Sequence, residues 1–180
     1  AGGTLAVDTE IQQALLKAKR RIQDLTRDDA VTGLLNVETF REVLNHDWAV
    51  AAREKSSLAL VAFTLDDFPA YVDVFGRHAS DSCLRRVAQA IRRCLRRASD
   101  VAARLETDDG DCLVVLSHSS NEAGVNEFAA MISAAVRELG LHHPRSSESK
   151  FVTVSYKTKV MAAGEDKSSA DDFLDSVIAS

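Results

Sequence analysis

Leu58–Asp81 reads LALVAFTLDDFPAYVDVFGRHASD, and the organisation of the chain follows from it. Leu58–Leu65 is in effect a continuous apolar run, which suits a strand buried on both faces. Its cleanest part, Leu58–Phe63, is far too short to cross a bilayer. Asp67 followed by Pro69 then predicts a helix start, because a carboxylate caps free N–H groups and proline is tolerated in a first turn. Asp66 and Asp67 are accordingly expected to cap that helix and to ligate nothing.

Upstream, Phe40, Val43, Leu44, Trp48 and Ala51 predict a helix over Val37–Glu54. Further back, Ile11, Leu15, Ala18, Ile22 and Leu25 form a heptad seam flanked by basic Lys17, Lys19, Arg20 and Arg21. Two heptads are too few for a free coiled coil, so this helix is expected to continue one from an upstream domain. The alternative is a helix folded back on its own domain.

Downstream, Leu84, Val87, Ala88, Ile91 and Leu95 make the apolar stripe of a helix over about Ser80–Arg97. Its other face carries Arg85, Arg86, Arg92, Arg93, Arg96 and Arg97. Val101–Leu105 and Cys112–Leu116 read as strands joined by an acidic turn centred on Asp109-Gly110. Ser119-x-x-Glu122 is a capping box for a helix closed by Gly140. Phe151–Val160 alternates like a half-exposed strand, and a last helix starts near Ser169. Together these elements predict an α/β (α+β) fold, a central mixed sheet flanked by helices.

With 180 residues, 46% of them apolar, the chain suffices for one domain and an arm. A net charge of −5 argues against nucleic acid as a partner, although positive charge is locally clustered. Cys83, Cys94 and Cys112 are odd in number and lack metal-ligand spacing, so reduced thiols in a cytosolic protein are expected. No signal peptide or membrane span is visible, and a cytoplasmic domain is expected, with membrane attachment of a parent protein left open. The chain opens on Ala-Gly-Gly and stops inside a helical pattern, which suggests a fragment with a truncated last helix.

Four segments resemble, in order, the GGDEF family of diguanylate cyclase domains. Asp29-x-x-Thr32-Gly33-Leu34-x-Asn36 with Phe40 resembles the family's opening motif, with Val37 where an Arg is usual. In Leu58–Asp81 the register keeps Asp66, Phe68, Asp73, Gly76 and Asp81. Arg97-x-x-Asp100 with Ala103-Arg104 resembles the inhibitory-site motif and the strand leading to the signature hairpin. Val152–Ser155 resembles the late strand, with Lys157 replacing its glycine. The resemblance implies a nucleotidyl-cyclase palm-like sheet over residues 29–180, preceded by a helical linker or short coiled coil over 1–28.

The departures fall on the chemistry. Thr64 stands where the resemblance implies a metal-binding Asp, Pro69 and Ile178 where it implies phosphate-binding lysines, and Val72 where it implies a guanine-binding Asn. The implied signature hairpin has one spacer, two glycines and two acids between its Arg and its Phe. Here seven residues separate Arg104 from Cys112, and the paired glycines are gone. Counting back from Cys112 puts Asp111 and Gly110 at the acidic positions, in a turn expected to be two residues longer.

Joining two GTP molecules needs Mg²⁺ to neutralise triphosphate and activate a hydroxyl, and magnesium needs carboxylates in octahedral reach. The neutral hydroxyl of Thr64 cannot supply that charge. Paired glycines let backbone amides approach phosphate, whereas Glu106, Thr107, Asp108 and Asp109 bring bulk and negative charge. No catalytic residue, metal or cofactor is therefore expected. Thr64, Asp66, Phe68, Val72, Asp73, Gly76 and Asp81 mark a vestigial nucleotide pocket, and Asp108, Asp109, Gly110, Asp111 and Cys112 a degenerate signature. Arg97 and Asp100 remain as a candidate cyclic di-GMP site, because a guanidinium forks onto guanine or phosphate and a carboxylate accepts guanine N–H groups. The competing reading has Arg97 close its helix against the dipole while Asp100 caps a turn.

The expectation is a catalytically inactive GGDEF-like regulatory domain relaying signals by conformation or dimerisation. The resemblance implies an upstream sensor, a downstream phosphodiesterase-like (EAL) domain and a homodimer through the N-terminal helix. The alternatives are a cyclic di-GMP receptor, a weak Mg²⁺-dependent cyclase using Asp66 and Asp111, and a GTP sensor using Asp81 and Gly76.

Overall fold

The structure, a computed structural model, describes residues 8–18, 27–108, 110–163 and 169–178. Lys19, Arg20, Arg21, Ile22 and Leu25 of the heptad reading, and Asp109 of the hairpin, lie outside the described residues. Helix α1 (residues 8–18) exposes Ile11, Leu15 and Leu16 by more than half. The domain then runs α2 (Val37–Glu54), β1 (Ser57–Leu65), α3 (Phe68–Cys94), β2 (Val101–Thr107), β3 (Gly110–Ser117), α4 (Glu122–Glu138), β4 (Val154–Ala162) and α5 (Ala170–Ile178).

The strands lie in the order β2-β3-β1-β4, and every neighbouring pair is antiparallel. This corrects the expected mixed sheet. A continuous apolar strand reports two covered faces, not strand direction. Among the described residues, parallel pairing is confined to an isolated bridge between Leu35 and Ala103.

Ala59, Val61 and Phe63 of β1 face a core completed by Leu84, Val87 and Ile91 of α3 and Val125, Ile132 and Val136 of α4. Leu58, Leu60 and Ala62 face a second core with Phe40, Leu44 and Trp48 of α2 and Phe173, Leu174 and Val177 of α5. One strand thus feeds two cores, and its period-two alternation explains why no polar side is visible in sequence.

Local chemistry corrects several expected boundaries. Helix α3 starts at Phe68, where Asp67 and Pro69 predict a helix start, and breaks at Gly76, whose φ of 81° and ψ of 174° are non-helical, shortly before the expected Ser80. It ends at Cys94, so Arg97 lies beyond the helix and does not close it; Arg92 and Arg93 occupy its last turn. Asp67 holds the N-cap position with left-handed backbone but makes no side-chain cap bond. The N-cap of α4 is Asn121, whose side chain accepts from the Gly124 N–H, in place of the expected Ser119 box. Ser119 Oγ instead accepts from the Asn121 N–H. At α5 the Ser169 hydroxyl and Asp172 carboxylate cap reciprocally, each accepting the other's backbone N–H.

Candidate functional site

The end of β1, the β2–β3 hairpin, β4 and the last turn of α5 enclose a pocket of about 340 Å³. Ala62, Thr64 and Leu65 come from β1, Thr107 and Cys112 from the hairpin, Ser155–Lys157 from β4, and Val177 and Ile178 from α5. Of the sequence-predicted residues, Thr64 and Cys112 line this pocket, together with Ile178. Thr64 is exposed, and Cys112 is 3% exposed, with burial pushing its thiol up to about 11 against the opposing charge of Lys157.

Leu105 pairs with Cys112, Glu106 with Asp111, and Thr107 with Gly110. The ladder runs as far as Thr107 and Gly110, which leaves two residues between the paired strands. Asp108 follows Thr107 directly at the turn, and Gly110 re-enters the strand at a φ of 115°, where a side chain would be strained.

Asp111 and Asp66 are both held by the fold. Arg104 donates to Asp111 Oδ1 at 2.9 Å from Nη2 and 3.1 Å from Nε, and its Nη1 donates to Asp29 at 3.2 Å. Burial disfavours the Arg104 charge, but Asp111 and Asp29 outweigh it and raise its affinity for the proton. Asp66 accepts from Thr153 Oγ1 at 2.7 Å and from Ser155 Oγ at 2.5 Å, tying β1 to β4. Asp67 accepts from both N–H and Oγ of Ser147 at 2.8 Å. Those two bonds, backbone first, hold its carboxyl below the usual carboxylate range. Neither Asp66 nor Asp67 caps α3, contrary to expectation.

The other predicted pocket residues lie along α3. Phe68 stacks on Tyr71 with centroids 5.8 Å apart. Val72 is half-buried, Asp73 exposed and Asp81 half-buried. Gly76 lends its carbonyl to Ser80 Oγ at 2.6 Å. None of these lines the pocket beside Thr64.

Arg97 and Asp100 share a turn between α3 and β2. The Asp100 N–H donates to the Arg97 carbonyl at 3.0 Å, and Asp100 Oδ2 accepts from the Arg97 N–H at 3.3 Å. The Arg97 guanidinium reaches across to the His118 carbonyl at 2.8 Å. Asp100 is 8% exposed, and its Oδ1 is buried without a hydrogen-bond partner among the described residues. The His118 ring meets Asp47 of α2 at 3.0 Å.

Sequence reasoning missed three of these contacts: Arg104 with Asp29 and Asp111, Asp67 with Ser147, and His118 with Asp47. It also missed His143, fully buried with Nε2 donating to the Asp67 carbonyl at 2.9 Å. Only the Asp29 turn carries a local signal, since Thr32 donates to Asp29 Oδ2 from both its N–H and its hydroxyl.

The family model described as diguanylate cyclase, GGDEF domain, matches residues 26–177. Cyclic di-GMP phosphodiesterase PdeR of Escherichia coli is 28% identical over 121 residues, 67% of this chain and 17% of that protein. Cyclic di-GMP phosphodiesterase PdeB of Shewanella oneidensis is 36% identical over 107 residues, 59% of this chain and 12% of its own length. The chain thus spans less than a fifth of either relative. The coiled coil and GGDEF domain of DgcB from Caulobacter crescentus, solved with cyclic di-GMP, superposes with a TM-score of 0.73 at 22% identity. That likeness covers 98% of this chain and 90% of the other, and it concerns the fold.

Proposed function

The chain belongs to the GGDEF family of diguanylate cyclase domains, and from that membership we propose that it acts in cyclic di-GMP signalling as a regulatory domain without cyclase chemistry. One observation carries the reading. Among the described residues the pocket beside Thr64 has no carboxylate in its lining, and the two acids proposed as displaced metal ligands are engaged elsewhere. Asp66 is satisfied by hydroxyls of Thr153 and Ser155, and Asp111 by Arg104. A magnesium ion there would have to displace those partners before meeting any charge. The likeness to PdeR and PdeB supports a place within a longer protein that carries phosphodiesterase activity elsewhere in its chain. In this reading the domain passes a conformational or dimerisation signal between an upstream sensor, through α1, and a downstream phosphodiesterase-like domain.

A second reading, reception of cyclic di-GMP at Arg97 and Asp100, is favoured by the unspent Asp100 Oδ1. The complex of DgcB with that ligand supports it as well. Calorimetric titration separates the two readings. The relay reading predicts no heat from GTP with Mg²⁺, and binding of that pair would contradict it. Cyclic di-GMP binding that disappears in Arg97→Ala establishes reception; affinity unchanged by that substitution removes it.

A further inference from the structure

The pocket at the end of β1 has a lining suited to a ligand other than a nucleotide. Ala62, Leu65, Cys112, Val177 and Ile178 give it apolar walls. Thr64, Thr107, Ser155 and Tyr156 add neutral hydroxyls, and Lys157 is the charged side chain in that lining among the described residues. We propose that this pocket binds a small amphiphile: an apolar body bearing a single carboxylate, which sits on Lys157 while the body packs on Val177 and Ile178. The inference rests on the reading that this face has lost its triphosphate chemistry.

Each class of competitor fails on the same lining. A triphosphate brings several negative charges and meets one lysine. A cation meets that lysine and, among the described residues, no carboxylate. A neutral hydrocarbon would leave Lys157 with nothing to bind, since Ser155 Oγ already donates to Asp66 and Thr107 Oγ1 to the Gly110 carbonyl. The positive field of Lys157 reaches inward, since it acts on the buried Cys112 thiol against the effect of burial. A volume of about 340 Å³ stands at the lower end of the range for small-molecule pockets and suits one short chain or ring. The site also has an exit into the fold. Phe173 of α5 lies 5.2 Å from Trp48 of α2, ring to ring, so a ligand against Val177 presses on the helix that follows the N-terminal segment.

Backbone NMR during titration tests the proposal, with octanoate and 3-phenylpropanoate as probes and octan-1-ol, octylamine and GTP with Mg²⁺ as controls. Saturable shifts at Thr64, Thr107, Lys157 and Ile178 are expected from at least one carboxylate, and the tighter of the two identifies an aliphatic or an aromatic body. Lys157→Met should weaken it about tenfold or more, the loss of one charge-assisted bond. Ile178→Glu should abolish it; if that variant unfolds, Thr64→Glu at an exposed strand position makes the same test. Failure of both carboxylates to saturate, or equal binding of octan-1-ol or octylamine, overturns the proposal. Binding of GTP with Mg²⁺ would overturn the underlying loss of triphosphate chemistry and is read separately from the carboxylate arms.

Discussion

The Arg104 guanidinium, 13% exposed, joins the turn at Asp29 to the hairpin at Asp111. Replacing it by Met strands the half-buried Asp111 and leaves Asp29 to its Thr32 bonds, and a loss of about 2–4 kcal/mol is expected in urea unfolding. Unchanged stability would mean that Asp111 is not held and would return it as a free acid. Cys112 offers a second test. Below about pH 9 the thiol is protonated in both states, so stability is unaffected. Between 9.0 and about 11 only the unfolded chain ionises, and stability should fall by on the order of 2–3 kcal/mol. Cys112→Ala should flatten that alkaline slope in unfolding curves. Asp67 acts in the opposite direction. Its folded carboxyl is depressed below 3.8, so the Ser147 contact contributes above that pH and is lost as pH falls through the folded value. Amide exchange at Ser147 should therefore accelerate only in strong acid. The Asp29–Thr32 turn was legible because its partners are three residues apart. The Asp67–Ser147 bond was not, because 80 residues separate them and neither residue type signals the other.

Among elements, α3 shows how a glycine sets geometry. Gly76 takes a φ of 81° and ψ of 174°, a region essentially reserved for glycine, with nothing within 4 Å of a Cβ added there. Gly76→Ala should thus cost about 1–3 kcal/mol through the backbone alone, measured by thermal or urea unfolding. No loss would mean that the break in α3 is not maintained in solution. Helix α2 was readable to its ends from its apolar stripe, with Asn36 capping the Thr39 N–H at 2.9 Å. The hairpin was not, because sequence spacing counts residues between landmarks. It does not say whether the intervening residues form a turn or continue the strands, and here the ladder continues through Glu106–Asp111 and Thr107–Gly110.

For the whole molecule, a single four-stranded sheet separates an α3–α4 core from an α2–α5 core, and the pocket opens on the α2–α5 side at the end of β1. The helix-on-sheet layering was legible, since each apolar stripe needs a covering partner. Strand direction was not, because an antiparallel strand covered on both faces has the same apolar pattern as a parallel one. Thr64 and Ile178 could be singled out in sequence, but the engagement of Asp66 and Asp111 by their own fold required the third dimension. The central claim concerns what remains of the chemistry at that pocket. It is tested most directly by incubating the protein with GTP and Mg²⁺ and separating the nucleotides by chromatography. The account predicts unchanged GTP and no cyclic di-GMP; Mg²⁺-dependent product that disappears in Asp66→Ala or Asp111→Ala would contradict it.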